Sequence, residues 1–243
     1  MSQQQIKKGY ASSKSPYYDE FEIKSALEIV RWAARSFGES AALASSFGVE
    51  DMVLTDMISK TEPKLTIFTL DTGRLPEETY KLMDQTRRRY GVEVQVFFPD
   101  TERVQEMVGK FGLNLFYDSV ENRKTCCGIR KVEPLNRALA DKQAWLTGLR
   151  RDQTLTRSDI SKVSADSDHN GILKINPLAD WDSIRVWEYV KENSVPYNEL
   201  HDRGYPSIGC EPCTRAVREG EDPRAGRWWW ELQGNKECGL HHS

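Results

Sequence analysis

Residues 41–51, with the sequence AALASSFGVED, decide the fold. They predict a short apolar strand (Ala41–Ser45), a turn of small residues and a helix (Val49–Ile58). The same alternation continues along the chain. Further strands are predicted at Leu65–Leu70, Val92–Phe98, Ala144–Thr147 and Ile172–Ile175, and further helices at Glu22–Phe37, Pro76–Tyr90, Val104–Phe111, Ile129–Ala140 and Trp181–Glu192. Strands that alternate with helices predict an α/β fold with a mostly parallel sheet flanked by helices.

The pattern also predicts how the chain divides. Residues 1–20 are polar and are expected to form a flexible arm, and residues 21–222 one α/β domain. The polar stretch from Arg150 to Gly171 predicts a long mobile loop. Residues 223–243 show little periodicity, so we expect an irregular and mobile C-terminal tail after about Pro223.

The composition excludes several classes of protein. Of 243 residues, 38% are hydrophobic and 29% charged, a balance typical of a soluble globular chain. The 34 Lys and Arg residues nearly balance the 37 Asp and Glu residues, so general nucleic-acid binding is not expected. No apolar run approaches the roughly 20 residues of a membrane span, and the first residues (MSQQQIKK) do not form a signal peptide. We expect a cytoplasmic protein that contacts neither nucleic acid nor membrane.

Small and polar residues follow the first two predicted strands. After the first strand come Ser45, Ser46 and Gly48, and the second ends in Leu70, Asp71, Thr72 and Gly73. Ligands bind outside the carboxyl ends of parallel strands, so the two turns together favour a nucleotide site. The backbone N–H groups of the first turn and the start of its helix would bind an anion. The alternative is structural: a helix start capped by Ser, and a turn shaped by Asp71 and Gly73.

A third strand end carries a cluster of arginines. Gly148 and Arg150 follow the strand predicted at Ala144–Thr147, and Arg151 and Arg157 come soon after. Guanidinium groups at this edge would bind phosphate or sulfate through paired hydrogen bonds. A solvated charged loop is the plainer interpretation. The position beside the other two strand ends favours anion binding.

The five cysteines divide into two pairs and a single residue. Cys126 and Cys127 are adjacent, Cys210 and Cys213 form a C-x-x-C motif, and Cys238 lies near the end. Disulfides are rare in the cytosol, so the two pairs favour four thiolate ligands of a metal over unrelated buried thiols. Four thiolates suit tetrahedral zinc or an iron–sulfur cluster, and adjacent cysteines are awkward for zinc. A redox C-x-x-C would leave Cys126 and Cys127 unexplained.

Cys238 differs from the other four in its surroundings. Its segment, KECGLH (236–241), is polar and flanked by glycine, which does not fit a packing role. A thiol near Lys236 and His241 would have a lowered pKa and act as a nucleophile. An incidental thiol in a tail is the alternative.

These segments resemble the assimilatory adenylyl-sulfate and phosphoadenylyl-sulfate reductases over nearly the whole chain. The resemblance rests on Ser45–Asp51, Leu70–Pro76, Gly148–Gln153 and, most specifically, the pentapeptide ECGLH (237–241). It implies an adenine nucleotide alpha-hydrolase-like fold with a modified phosphate loop. Members with Cys-Cys and C-x-x-C carry a 4Fe–4S cluster and generally use adenosine 5′-phosphosulfate (APS), whereas members without the cluster use the 3′-phosphorylated form, PAPS.

By this resemblance, the chain is expected to reduce APS with the help of a 4Fe–4S cluster. The expected cluster ligands are Cys126, Cys127, Cys210 and Cys213. The printed sequence reaches Ser243 without a thioredoxin-like domain, so a separate thioredoxin is the expected electron donor. Family members are often oligomers, and a homo-oligomer is expected here. The cluster is expected to act electrostatically and structurally, because a two-electron thiol reaction does not require iron redox.

The resemblance also assigns roles to single residues. Cys238 is the expected nucleophile, which attacks the sulfur of APS, expels AMP and becomes a thiosulfonate that thioredoxin resolves. Cations must flank the sulfate, and Lys131, Arg157, Arg224 and Arg227 are the candidates, with His241 assisting. The full set expected to bind substrate is Ser45, Ser46, Gly48, Leu70, Asp71, Thr72, Gly73, Lys131, Gly148, Arg150, Arg157, Arg224, Arg227 and His241. Glu219 and Glu221 could pair with the two tail arginines instead.

Three other functions remain open from the sequence. A PAPS reductase would perform the same chemistry but needs further cations near the ribose 3′ position. An adenylating or tRNA-thiolating enzyme of the ATP-pyrophosphatase type would want a Ser-Gly-Gly-x-Asp-Ser loop, from which residues 45–51 depart. An iron–sulfur sensor without enzymatic activity would leave Cys238 without a role.

Overall fold

One sheet forms the centre of the molecule. The computed structural model describes residues 18–231, and within this range six strands lie in the order β3-β2-β1-β4-β6-β5. The strands are β1 (Ala41–Ala44), β2 (Thr66–Leu70), β3 (Val94–Phe97), β4 (Ala144–Leu146), β5 (Val163–Asp166) and β6 (Ile172–Ile175). All neighbouring pairs are parallel except β5 with β6. The predicted α/β fold with a mostly parallel sheet is confirmed.

Helices cover both faces of this sheet. They are α1 (Asp19–Glu22), α2 (Ala26–Phe37), α3 (Val49–Ser59), α4 (Glu77–Tyr90), α5 (Thr101–Phe111), α6 (Val120–Cys127), α7 (Glu133–Leu139) and α8 (Ser183–Glu192). The larger core packs α2, α3, α4 and α8 against one face of the sheet. The smaller core packs α7 against the other face, around Phe68 and Trp145. Helix α3 lies deepest, because nine of its residues are buried.

The helix boundaries follow capping chemistry rather than apolar spacing. The helix predicted at Glu22–Phe37 is divided, because Ser25 and Glu28 form a capping box that starts α2 at Ala26. Asp100 caps α5, which therefore begins before the predicted Val104. The helix predicted at Ile129–Ala140 is α7 preceded by a π-helical turn, Gly128–Val132. Helix α6 was not predicted at all.

The segment from Arg150 to Gly171, expected to be a long mobile loop, is ordered by specific contacts. It contains β5, which pairs antiparallel with β6 along four residues. The Lys162 ammonium is buried and donates to the carbonyl oxygens of Glu22 and Lys24 at 3.0 and 2.7 Å. It also pairs with Asp180 at 2.9 Å. The expectation was wrong because a polar composition concealed one strand and one buried cation.

Packing continues beyond the predicted start of the tail. The side chains of Arg227, Trp228 and Glu231 are all buried. At the other end of the chain, Tyr18 and Phe21 belong to the main core. The arm expected at residues 1–20 and the tail expected at 223–243 thus fall partly within the folded part, and residues 1–17 and 232–243 lie outside the described range. No helix among the described residues is both long and apolar enough to cross a membrane.

Candidate functional site

The turn after β1 directs its donors at a carboxylate of the same chain. The Ser46 backbone N–H and hydroxyl both donate to Asp51 Oδ2, at 2.7 and 2.8 Å. The Gly48 backbone N–H also hydrogen-bonds to this carboxylate. Ser45 turns inward, and its hydroxyl accepts from the Phe47 N–H at 3.2 Å. In this structure Asp51 therefore takes the donors that the sequence predicts for an anion.

Burial governs the charge of Asp51. Its removal from water raises the pKa of the carboxyl to about 6, against the opposing effect of the Ser46 hydrogen bonds. The Asp51 side chain also lies where the β4 turn passes closest to α3. A Cβ built on Gly148 would lie 2.6 Å from Asp51 Oδ1 and 2.7 Å from Glu50 Cβ, so only glycine fits there.

The arginines after β4 are engaged with acidic and carbonyl groups. Arg150 Nε donates to Glu50 Oε1 at 3.0 Å, and its Nη1 donates to the Trp181 carbonyl at 3.3 Å. Arg151 pairs with the Glu22 carboxylate at 2.5 Å, on a different side of the loop. Arg157 is buried and donates to the Gln153 side chain. These contacts order the turn after β4. They support a structural role for the arginines at least as well as a role in binding an anion.

The turn after β2 connects the carboxyl ends of the strands to a cysteine. Asp71 Oδ1 accepts from the Gly73 N–H at 2.8 Å and from the Tyr80 hydroxyl at 2.9 Å. Gly73 has a φ of +70°, the left-handed conformation that favours glycine. Leu70 ends β2, and Thr72 Oγ1 lies 3.2 Å from Cys210 Sγ. This turn has the shape expected from Asp71 and Gly73, and it also contacts the C-x-x-C motif.

The four paired cysteines line one small cavity. Its other walls come from Arg74, Phe116, Arg123, Arg130, Lys131 and Pro212. Cys126 and Cys127 end α6, and Cys210 and Cys213 flank a 3₁₀ turn, Glu211–Cys213. Among the described residues, these four cysteines form no disulfide. The two pairs, remote in sequence, are thus brought together by the fold.

The thiols differ in acidity according to the charges around them. Burial alone would raise the pKa of Cys210, but Lys131 and the Thr72 hydroxyl outweigh it and hold that pKa below its ordinary value. Burial and the neighbouring Cys210 raise the pKa of Cys213 to about 12. Burial likewise raises the pKa of Cys126. Four thiolates cannot share this cavity without a positive centre among them.

Several cations at the cavity were not singled out from the sequence. Arg130 Nη1 donates to the Thr72 carbonyl at 2.6 Å, so the π-helical turn after the Cys-Cys pair contacts the β2 turn. Arg74 packs over the Phe116 ring, 5.1 Å from its centroid. Arg123 is almost fully buried behind Cys126. Proximity of Arg130 to the predicted Lys131 and to the Cys-Cys pair was a signal available in the sequence.

The segment 224–231 packs on the C-x-x-C motif. The Arg215 N–H donates to the Gly226 carbonyl at 3.0 Å, and the Trp228 N–H donates to the Cys213 carbonyl at 3.2 Å. A Cβ on Gly226 would lie 2.2 Å from the Arg215 carbonyl oxygen, so the two strands of chain approach more closely than any other residue permits. The chain that leads into the tail therefore packs against Cys126 and Cys213, two of the cysteines that line the cavity.

The sequence left Glu219 and Glu221 as alternative partners of the tail arginines, and the structure shows other partners for Arg227 and Glu221. Arg227 Nη1 donates to the Ile208 carbonyl at 3.1 Å, and its guanidinium fills the space that a Cβ on Gly209 would need. Glu221 instead pairs with Arg215 at 2.8 Å. The Arg224 N–H donates to Asp222 at 2.7 Å. Cys238 and His241 lie outside the described residues, so their expected roles stay predictions.

Four thiols that line one cavity match in number the ligands of an iron–sulfur cluster. Within residues 18–231, no three His, Cys, Asp or Glu side chains are placed so that they could hold one metal ion. A single zinc with bonds of about 2.3 Å to sulfur would require such convergence. An iron–sulfur cluster distributes four cysteines over several irons. The buried Trp228 Nε1–H has no acceptor in the described structure, which leaves one donor beside Cys126 and Cys213.

The fold places the protein among α/β proteins that include adenine-nucleotide enzymes. The structure of Candida glabrata FMN adenylyltransferase with FAD and inorganic pyrophosphate matches with a TM-score of 0.54 and 13% identity, covering 89% of this chain and 80% of that chain. At this identity the likeness shows the fold alone. The structure of phosphoadenylyl-sulfate (PAPS) reductase from Candida auris, a phosphate complex, matches with a TM-score of 0.69 and 31% identity, covering 89% of this chain and 98% of that chain.

Sequence comparisons identify the family. The family described as "Phosphoadenosine phosphosulfate reductase domain" matches residues 40–216, and the chain belongs to this family. A Burkholderia cepacia protein named adenosine 5′-phosphosulfate reductase is 56% identical over 203 residues, 84% of this chain and 81% of that protein. An Allochromatium vinosum protein of the same name is 50% identical over 216 residues, 89% of this chain and 84% of that protein.

Proposed function

We propose that this protein reduces adenosine 5′-phosphosulfate to sulfite and AMP, as an oxidoreductase of assimilatory sulfate reduction and cysteine biosynthesis. The observation that carries the proposal is the four-cysteine cavity directly beside the turn after β2, where the sequence predicts the nucleotide. Relatives named for this substrate, at 50–56% identity over most of both chains, support it. Thioredoxin is the proposed electron donor, and the cytoplasm the proposed location.

A 4Fe–4S cluster is the proposed cofactor of the cavity. Cys126, Cys127, Cys210 and Cys213 would hold it. When bound, such a cluster supplies a centre that keeps four thiolates ionised side by side. The contact between Thr72 Oγ1 and Cys210 Sγ and the unpaired Trp228 Nε1–H are the kinds of donors that stabilise charge on sulfur.

The proposed chemistry takes place at Cys238. The Cys238 thiolate attacks the sulfur of the substrate, the bond between sulfur and the phosphate oxygen breaks, and AMP leaves with that electron pair. The enzyme then carries a thiosulfonate, Cys–S–SO₃⁻. A thioredoxin thiolate attacks Cys238 Sγ and releases sulfite, and the second thioredoxin thiol breaks the mixed disulfide and frees Cys238.

The chain's own cations make the first step electrostatically feasible. A thiolate must approach a substrate that already carries several negative charges, so positive groups must surround the sulfate. Lys131 lines the cysteine cavity, and its positive charge favours the ionised forms of Cys210 and Cys213 by lowering the pKa of each thiol. Arg227 lies in the segment packed on the C-x-x-C motif, and its charge also lowers the pKa of Cys210. We assign these two residues, with Arg224 and Arg157, to the sulfate, and the turns after β1, β2 and β4 to the nucleotide.

A PAPS reductase is the second candidate. The 31% identity to the Candida auris enzyme over 98% of that chain favours it. The two candidates differ in one phosphate at the ribose 3′ position. Sulfite release with thioredoxin, measured anaerobically on APS and PAPS side by side, separates them. We expect a large preference for APS; comparable rates would support dual specificity, and no sulfite from either would refute both.

The role of Cys238 is tested by Cys238→Ser. We expect this variant to bind the nucleotide with unchanged affinity and to form no covalent adduct, because a serine hydroxyl is not ionised near neutral pH. Mass spectrometry after incubation with APS detects the +SO₃ adduct on the wild-type tail peptide. A serine variant that still releases sulfite would remove Cys238 from the mechanism.

A further inference from the structure

A buried ion pair joins helix α6 to the last described residue. Arg123 Nε donates to Glu231 Oε1 at 2.8 Å, and Arg123 Nη2 donates to Glu231 Oε2 at 3.0 Å. The two side chains are only 2% and 5% exposed. Paired hydrogen bonds of this kind fix both partners in orientation as well as distance. The pair thus holds the chain at Glu231 in one place relative to α6.

The ion pair is connected to both cysteine pairs. Arg123 lies three residues before Cys126 on α6. Its guanidinium stacks 4.7 Å from the centroid of the Trp228 ring. The Trp228 N–H donates to the Cys213 carbonyl, and the Glu231 N–H donates to the Trp228 carbonyl at 3.0 Å. The arrangement of the four-cysteine cavity and the position of Glu231 are therefore set by the same contacts.

A contribution to stability does not by itself explain why this ion pair is buried. Replacing a buried ion pair by apolar residues of similar size is often neutral or stabilising, whereas removing one partner leaves an uncompensated charge. The geometry of the pair determines where Glu231, the last described residue, lies relative to α6. Cys238 follows Glu231 by seven residues, which span at most about 25 Å when fully extended.

We propose that Arg123 and Glu231 are positioning residues, which fix on helix α6 the point from which the Cys238 segment extends. This inference rests on the proposed function, because it takes Cys238 as the nucleophile. Neither residue belongs to the set that we assign to the substrate. Their contribution is to place the origin of a short linker within reach of the nucleotide end of the sheet, so that the cysteine cavity and the nucleophile keep a fixed relation.

The test compares Glu231→Gln and Arg123→Lys with Glu221→Gln in the full-length holoprotein prepared anaerobically. Glu221 pairs with Arg215 on the surface of the same region, so it is the matched control. Three quantities are measured: tryptic cleavage after Arg227 without nucleotide, AMP affinity, and AMP release from APS in a single turnover. In the two pair variants we expect cleavage to be at least about tenfold faster and AMP release about 10- to 100-fold slower. AMP affinity should match the control, and AMP release is expressed per iron-loaded protein, because Arg123 also lines the cysteine cavity.

Two results would overturn the proposal while wild-type protein remains active on APS. One is that cleavage and AMP release in both pair variants equal those of the control. The other is that AMP release falls only in proportion to lost iron or lost AMP affinity, which would make the pair a support of the fold. Inactive wild-type protein would instead refute the proposed function.

A double variant covers the case in which the single variants do not fold. Arg123→Met with Glu231→Met removes both charges together, so no buried charge is left unpaired. We expect this protein to fold and bind AMP, with tryptic cleavage after Arg227 still faster and AMP release still slow. A folded double variant with wild-type cleavage and wild-type AMP release would overturn the proposal.

Discussion

Two regions of the molecule differ in how their charged groups are compensated: the turns after β1 and β4, and the four-cysteine cavity. At the two turns, each charged group has a partner from the same chain: Asp51 accepts from Ser46, and Arg150 donates to Glu50. At the cavity, four thiols lie among several cations: Lys131 and its neighbours hold the pKa of Cys210 below its ordinary value, whereas burial raises those of Cys126 and Cys213. The charges of the first region are thus paired within the chain, whereas the thiols of the second are the ligands that we propose for a cluster.

This difference predicts the largest effect of a single substitution. Cys213→Ser should lose most of the bound iron and reduce sulfite release at least about 100-fold, because serine does not replace a thiolate ligand. Iron analysis and visible absorbance after anaerobic preparation measure the first effect. Ser46→Ala, in the turn after β1, is the control and should keep its iron. Equal iron content in the two variants would show that the cavity does not hold a cluster.

Each of the two regions contains a glycine at a close backbone approach, so substitution of each glycine tests how tightly its region is packed. Gly226→Ala places a Cβ 2.2 Å from a backbone oxygen, and Gly148→Ala places one 2.7 Å from Glu50 Cβ. We expect each to lower the free energy of unfolding by about 1–3 kcal/mol, with Gly226→Ala the more severe. Urea denaturation measures this. Gly109→Ala in α5 meets nothing within 4 Å and should stabilise by about 0.5–1 kcal/mol; a loss there equal to the others would refute the steric explanation.

A further expected effect is the dependence of stability on pH that Asp51 contributes. Because its pKa is raised to about 6, the folded protein binds a proton that the unfolded chain has already released above pH ~4. Asp51 therefore lowers stability as pH rises from about 4 to 6, by up to about 3 kcal/mol in total, and the loss is complete above pH ~6. Asp51→Asn should remove this fall. The free energies of unfolding of the variant and the wild type, measured between about pH 4 and pH 6, should therefore differ by an amount that changes with pH. A difference that is constant with pH would contradict the raised pKa.

The strand and helix order was predictable because it rests on local patterns. Residues 41–51 form the strand, turn and helix that their apolar spacing predicts, except that the strand ends at Ala44. Strand β5 was missed because it is a short antiparallel edge strand, with Ser164 and Asp166 among its four residues, inside a polar stretch. Helix α6 was missed because its buried residues, Arg123, Cys126 and Cys127, include a charged one.

The sequence allowed the four cysteines of the cavity to be predicted, but not the residues that pack around them. Pairing of the cysteines in the sequence indicated that they act together, and the fold brings both pairs to one cavity. The ion pair between Arg123 and Glu231 joins residues 108 positions apart. No local pattern marks such a contact, since each residue alone is an ordinary surface charge. The metal-binding role of the four cysteines remains a prediction.

The fixed position of Glu231 has a consequence for reaction order. A linker of about 25 Å confines the Cys238 thiol to a sphere in which one molecule corresponds to a concentration of tens of millimolar, on the order expected for short tethers. Encounter between this thiol and a bound nucleotide is then independent of protein concentration. The first half of the proposed reaction is unimolecular once the nucleotide is bound, and only the second half, with thioredoxin, depends on meeting another protein.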